Sequence, residues 1–214
     1  MSAADFVPAG ADLDQLRAAA QDCRGCELWQ GATQTVFSAG APDARVVLVG
    51  EQPGDQEDRQ GLPFVGPAGR VLVKAVDDAG IPREVIYRTN VVKHFRFSRS
   101  GPGKRRIHQT PDQVHVEACQ PWLTAELTLL EPEIVVCLGA TAAKALLGPS
   151  FRVTRQRGEL FRHPVGRAVD AEAAEHTRWI MATIHPSAVL RADDRQTAYD
   201  GLVADLRVAA KALR

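Results

Sequence analysis

Three polar side chains that can carry chemistry each follow a short apolar run of this sequence. Glu51 comes directly after Val46–Gly50, Asn90 ends a second run, and His185 follows a later run and precedes Pro186. A carboxylate can stabilise a developing cation or activate water, a fixed amide can read a ring edge, and an imidazole can donate to a developing oxyanion. Taken alone, each residue also has a structural interpretation as a cap or a turn residue.

The segment after Glu51 is rich in proline and glycine, which predicts a stiff loop around that carboxylate. Within it Phe64 offers a flat apolar surface on which a base can stack, although a phenylalanine more often packs in a core. Ser187 and Arg191 follow His185 at a predicted helix start, where they can contact a backbone phosphate.

A basic segment stands out because the whole chain carries no net charge, with 26 Lys and Arg against 26 Asp and Glu. Between Lys93 and Pro111 there is no acidic residue, and the cations are Lys93, Arg96, Arg99, Lys104, Arg105 and Arg106. Such a run on a neutral protein favours a local phosphate-facing surface over a histone-like polyanion binder. The plain alternative is a solvated loop.

The four cysteines are Cys23, Cys26, Cys119 and Cys137. The first two form a close Cys-x-x-Cys pair, but the other two are far apart, whereas structural zinc sites generally use two close pairs. A redox pair lacks a thioredoxin-like context, and Cys137 can also be an ordinary buried thiol in an apolar strand. The pattern alone leaves zinc and an iron–sulfur cluster equally open.

The elements that must position these residues alternate between strands and helices. The predicted strands are residues 46–50, 85–92, 134–138 and 179–184, and the predicted helices are 68–79, 111–130, 141–147 and 196–213. This alternation predicts an α/β fold, with a mostly parallel central sheet of about four strands covered on both faces. Such sheets bind ligands beyond the carboxyl ends of their strands.

Length and composition favour a single domain over residues 1–214 whose core needs no disulfides. No Gly-x-Gly-x-x-Gly or phosphate-binding loop motif is present, which removes the usual support for nucleotide binding. No apolar stretch approaches the ~20 residues of a membrane helix. We therefore expect a cytoplasmic protein with reduced cysteines, no membrane association and a monomeric state.

Four stretches carry a family resemblance, namely residues 50–54, 62–66, 90–93 and 185–187. Together they resemble the iron–sulfur uracil-DNA glycosylases of families four and five. The pentapeptide Lys104–His108 resembles the signature of the UdgX branch of that superfamily. The resemblance implies a three-layer αβα sandwich of the uracil-DNA glycosylase type. It also implies excision of uracil from DNA that is single-stranded or presents a flipped-out base.

The resemblance assigns roles to the candidate residues. The uracil pocket is formed by Gln52, Phe64, Asn90 and His185. Phosphates of the DNA are contacted by Lys104, Arg105, Arg106, Ser187 and Arg191. A [4Fe–4S] cluster, with zinc as the alternative, is held by Cys23, Cys26, Cys119 and Cys137.

The UdgX-like pentapeptide also suggests an unusual nucleophile. His108 would bond to C1′ of the sugar, with Glu51 stabilising the sugar cation, so that the protein acts once and stays attached to the abasic site. Gln52 stands where family four usually has alanine. This departure argues against ordinary water-mediated hydrolysis by this chain. Two alternatives remain: a turnover glycosylase in which Glu51 orients water, and a module that binds uracil or abasic DNA without cutting it.

Overall fold

A computed structural model of the chain describes residues 2–101, 104–162 and 178–213. The strands are β1 (Ser38–Ala39), β2 (Val46–Gly50), β3 (Ile86–Asn90), β4 (Phe97–Arg99), β5 (Arg106–His108), β6 (Ile134–Leu138), β7 (Phe161–Arg162) and β8 (Trp179–Thr183). The α-helices are α1 (Leu13–Ala20), α2 (Asp55–Gln60), α3 (Pro67–Ala79), α4 (Gln113–Leu130), α5 (Ala140–Leu147), α6 (Val153–Gln156), α7 (Pro186–Arg191) and α8 (Arg195–Ala212).

The main sheet has the strand order β1-β3-β2-β6-β8-β7. Its four central strands are all parallel, which confirms the predicted sheet. The short strands β1 and β7 pair antiparallel at the two edges. The sequence analysis did not predict these edge strands, because two residues are too short to show an apolar alternation.

Helices cover both faces of the sheet, because its central strands are apolar on both sides. Alternate residues of β2 belong to two separate cores: Val47 and Val49 to one, Val46 and Leu48 to the other. The first core contains residues of α1, α4 and α5, and the second contains residues of α3, α7 and α8. The result is the predicted three-layer αβα sandwich.

Most predicted helix boundaries agree with the structure within two residues. Helix α3 starts at Pro67 and ends before Gly80, whose φ of 77° suits glycine. Helix α4 starts at Gln113 rather than residue 111, because Asp112 forms the cap with His115. The predicted loop after β2 contains the short helix α2, which starts with a cluster of acidic residues.

The basic segment folds into a hairpin in place of the predicted loop. Strands β4 and β5 pair antiparallel, with Phe97 opposite His108 and Ser98 opposite Ile107. Opposed residues lie on the same face of a hairpin and successive residues on opposite faces. One face therefore carries Phe97, Arg99, Arg106 and His108, and the other carries Ser98 and Ile107.

None of the helices within the described ranges is both long enough and apolar enough to cross a membrane.

Candidate active site

The parallel register of the sheet brings the candidate residues to one edge. Gly50 at the end of β2 lies beside Asn90 at the end of β3, and Leu138 of β6 lies beside Thr183 of β8. Glu51 and His185 follow directly at this edge. The backbone continues the alignment beyond the strands, because Val92 N donates to Glu51 O at 3.0 Å.

Phe64 is packed tightly against this edge. A Cβ added to Gly50 would overlap the Asn90 side chain and lie 2.7 Å from Phe64 Cζ, so only glycine fits between the two. Phe64 itself has a φ of 59°, a left-handed conformation that is unusual for a bulky residue. Its carbonyl also occupies the space of a Cβ at Gly69 of α3. Backbone strain of this kind is held by the surrounding packing.

His185 is held in a defined neutral form. Its Nδ1 accepts from the backbone N–H of Ser187 at 3.2 Å and lies 2.7 Å from the Ser187 hydroxyl. Because Nδ1 accepts, the proton of the neutral ring is on Nε2, which is then a donor. Burial, with added repulsion from Arg191 and His108, lowers the pKa of His185 to about 4. The ring therefore stays uncharged at neutral pH.

Glu51 contacts two other parts of the chain. Its Oε2 accepts from the hydroxyl of Thr141 at 2.5 Å, and its Oε1 lies 3.5 Å from His108 Nε2. The sequence analysis did not identify Thr141. Its position in the first turn of the helix after β6, at the ligand-binding edge, was the available signal. The side chain of Glu51 is one-fifth exposed and that of His108 about half, so both can be reached from solvent.

The amide of Gln52 joins the hairpin to the end of β2. Its Oε1 accepts from Arg96 N at 3.0 Å, and its Nε2 donates to the carbonyls of Arg96 and Gln109. The same Nε2 is 3.0 Å from His108 Nε2. Because the backbone of Arg96 offers both a donor and an acceptor, the amide orientation is determined. His108 Nε2 therefore lies between this amide, whose two N–H groups are engaged by the two carbonyls, and the carboxylate of Glu51.

Arg106 lies on the inner face of the hairpin. Its guanidinium donates to Asp58 and Asp55 at 2.5 Å each and lies about 5 Å from the rings of Phe95 and Phe97. This placement does not support the predicted phosphate contact at Arg106, because a guanidinium enclosed by two carboxylates has its donors already engaged. The alternation of side chains along β5 could have indicated this inward position, since Arg106 and His108 lie on the same face.

The other predicted phosphate contacts are more open. Lys104, Arg105 and Arg191 are exposed. Arg191 donates to the Ser187 hydroxyl at 2.9 Å, and this hydroxyl contacts His185. The two residues predicted for DNA contact after β8 therefore also hold the His185 ring.

The four cysteines are free thiols and three of them lie in one core. Trp122 Nε1 donates to Cys23 Sγ, and Lys93 N donates to Cys119 Sγ, both at 3.3 Å. N–H groups aimed at sulfur suit thiolate ligands. Burial raises the pKa of Cys119 to about 12 and also raises the pKa of Cys137.

The predicted ligand set is nevertheless not assembled. Across residues 2–101, 104–162 and 178–213, no group of three or more Cys, His, Asp or Glu side chains is placed to hold a metal ion. The N–H donors fit thiolate ligands, while the four sulfurs are not gathered into one ligand group among the described residues.

Comparison with known proteins identifies the family. Residues 37–207 match the family model described as the uracil DNA glycosylase superfamily. The chain belongs to this superfamily. Its sheet and helices are those of a uracil-DNA glycosylase-like α/β fold.

The chain is similar to several uracil-DNA glycosylases of types 4 and 5. A type-4 uracil-DNA glycosylase of Thermotoga maritima is 35% identical over 170 residues, covering 79% of this chain and 78% of the relative. One of Sulfurisphaera tokodaii is 32% identical over 183 residues, covering 83% of this chain and 76% of the relative. A type-5 enzyme of Pyrobaculum aerophilum is 28% identical over 190 residues, with 82% and 75% covered.

Proposed function

We propose that this chain is a uracil-DNA glycosylase of the UdgX kind, which excises uracil and then retains the sugar through a covalent bond to His108. The observation that carries the proposal is the position of His108 Nε2, 3.5 Å from Glu51 Oε1 and 3.0 Å from Gln52 Nε2. The half-exposed ring thereby presents its Nε2 beside Glu51, the carboxylate that stabilises the sugar.

Recognition of the base rests on Phe64, Asn90 and His185. The base stacks on Phe64, while the Asn90 amide pairs with N3–H and O4 of uracil. Cytosine has the opposite donor and acceptor at these two atoms, so it would leave buried polar groups unpaired. Since Asn90 is buried and packed over Gly50, its orientation is restricted.

Cleavage of the glycosidic bond leaves its electron pair on the base. Negative charge then grows on O2 of uracil, where the Nε2–H of His185 donates, an effect of about 3 kcal/mol for a well-placed donor. Positive charge grows on the sugar, where Glu51 is the counter-charge. The hydrogen bond from Thr141 holds this carboxylate in one orientation.

Capture of the sugar uses the Nδ1–H tautomer of His108, whose Nε2 acts as the nucleophile. The lone pair on Nε2 forms the bond to C1′, and the proton on Nδ1 then passes to solvent. Glu51 offsets the positive charge of the ring until that proton leaves. Because no water enters this sequence, the product is an adduct in place of a free abasic site.

A denaturing gel tests the proposal. The protein is incubated with a single-stranded oligonucleotide that contains one deoxyuridine, and we expect a shifted protein–DNA band that resists heat and detergent. Alkali-sensitive free product without a shifted band would instead establish the turnover enzyme. Binding without either product would establish the non-cutting module.

The variant H108S tests the nucleophile. Serine leaves room for water, so we expect slow turnover and no shifted band. Lys104→Ser is the matched control because it removes a neighbouring exposed cation and leaves the inner face of the hairpin intact. It should weaken binding in a salt-dependent manner and still form the adduct. Continued adduct formation by H108S would exclude His108 as the nucleophile.

A [4Fe–4S] cluster is the cofactor that we propose for Cys23, Cys26, Cys119 and Cys137. Its support is the resemblance and the N–H donors to two of the sulfurs. Iron and acid-labile sulfide should each approach four per chain after anaerobic purification, about the content of one such cluster. Stoichiometric zinc without sulfide would decide for the alternative.

A further inference from the structure

Ile107 is an apolar side chain at an unusual position. It is 50% exposed, on the outer face of the hairpin, whereas its neighbours Arg106 and His108 point to the inner face. The contacts of the inner face are accounted for by ion pairs, ring stacking and Glu51. The outer face therefore presents a branched apolar surface to solvent, next to the proposed nucleophile.

The surroundings of Ile107 restrict what can cover it. Lys104 and Arg105 precede Ile107 in the chain and are exposed, and the sequence has no acidic residue between Lys93 and Pro111. Within the described parts of the chain, no ion pair involves these two cations. An apolar surface framed by cations alone fits a partner with phosphates and exposed base faces.

The hairpin also limits where such a partner lies. Adjacent Cα atoms are about 3.8 Å apart, and successive side chains of a strand point to opposite faces. A nucleotide that reaches His108 must pass the edge of the hairpin from solvent. The strand from which it comes lies in solvent at this edge, where half-exposed Ile107 is one residue from His108 along β5.

From this placement, and resting on the proposed function, we infer that Ile107 packs against the base next to the extruded uracil. Extrusion removes a stacking partner from that neighbouring base, and an inserted apolar side chain restores part of the lost contact. Ile107 is thus a DNA-binding residue that favours the extruded state, while the cations around it hold the phosphates.

The test combines a protein variant with an altered oligonucleotide. Single-turnover excision by wild type and I107S is measured on single-stranded and duplex oligonucleotides with one deoxyuridine. The nucleotide on its 5′ or 3′ side carries either a base or a tetrahydrofuran abasic analogue. We expect I107S to be about tenfold slower than wild type when both bases are present. When the abasic analogue replaces the base that Ile107 contacts, on the 5′ or the 3′ side, most of this difference should disappear. The reason is that the effects of removing two groups in contact do not add.

Two further variants complete the design. L129S changes an equally exposed apolar residue of α4, near the start of β6 and so at the opposite end of the sheet from the site. It should leave the rate unchanged. I107L should restore most of the rate, because it keeps the apolar surface.

The outcomes separate this inference from the proposed function. If wild type excises uracil and I107S matches it, or if I107S loses the same factor with and without each neighbouring base, the inference is overturned and the glycosylase proposal stands. If wild type leaves uracil in place, the glycosylase proposal fails and this inference fails with it.

Discussion

Arg106 offers the sharpest test of how the hairpin presents His108. The variant R106Q removes a guanidinium whose side chain is 5% exposed and which pairs with the fully buried carboxylate of Asp58. Only the backbone N–H of Thr33 would remain as a partner for that carboxylate among the described hydrogen bonds. Removing one member of a buried pair costs about 3–5 kcal/mol, because the other charge is left unpaired.

The second carboxylate contributes less. Asp55 is 39% exposed, so losing its contact with Arg106 costs about 1 kcal/mol or less. We therefore expect R106Q to destabilise the anchored hairpin by about 3 kcal/mol, which is roughly a hundredfold shift in its equilibrium. The rate of adduct formation should fall by up to this factor. Excision should fall much less, since Glu51, Asn90 and His185 lie outside the hairpin.

The assay follows two products of one deoxyuridine oligonucleotide on a denaturing gel: the shifted band and the alkali-sensitive abasic strand. For R106Q we expect more abasic strand and less shifted band than for wild type. R59Q is the matched control, because Arg59 pairs with the same Asp55 but is 65% exposed and leaves the Asp58 pair intact. It should behave as wild type. Adduct formation by R106Q at the wild-type rate would refute the anchoring role.

Three other outcomes are expected. Because the folded pKa of His185 is about 4 and its unfolded value is about 6.5, excision should persist to pH 5, whereas stability should fall as the pH drops from 6.5 towards 4. H185N should lessen this fall in a urea-unfolding profile, while His94, whose pKa burial also lowers to about 4, sustains the rest; an unchanged profile would contradict the assignment. Glu126→Gln should destabilise the protein by about 3–5 kcal/mol, since it leaves Lys93 buried without its counter-charge. The double variant K93M/E126L should recover part of this loss in urea unfolding. Losses that simply add would oppose this account. Glu51→Gln should slow excision by at least about 100-fold while oligonucleotide affinity changes little; equal losses of rate and affinity would indicate a binding role.

The regular elements of the sandwich were predictable because their local patterns agree with their surroundings. Strand β2 is apolar on both faces, and α3 has both its proline start and its glycine end in the sequence. The basic hairpin was predicted as a loop, because each of its strands has only three residues, too few to show an apolar alternation. Helix α2 was missed because its six polar residues show no apolar periodicity.

The cysteines show a different limit. Their number and the close pair at Cys23 and Cys26 are sequence facts, and the resemblance suggests a cluster. The structure places Cys23, Cys119 and Cys137 in one core without an assembled ligand set among the described residues. A spacing pattern restricts ligand identity but carries no distance between sulfurs.

Residue types and apolar patterns were enough to predict the fold class and the chemical groups available at the carboxyl edge of the sheet, because both are local properties. Which of these groups meet there depends on how the chain folds. Arg106 turns inward to Asp58, Thr141 reaches Glu51, and Gln52 contacts His108. The physical reason is that ion pairs and hydrogen bonds depend on distances of about 3 Å, and chain folding sets these distances between residues that lie far apart in the sequence.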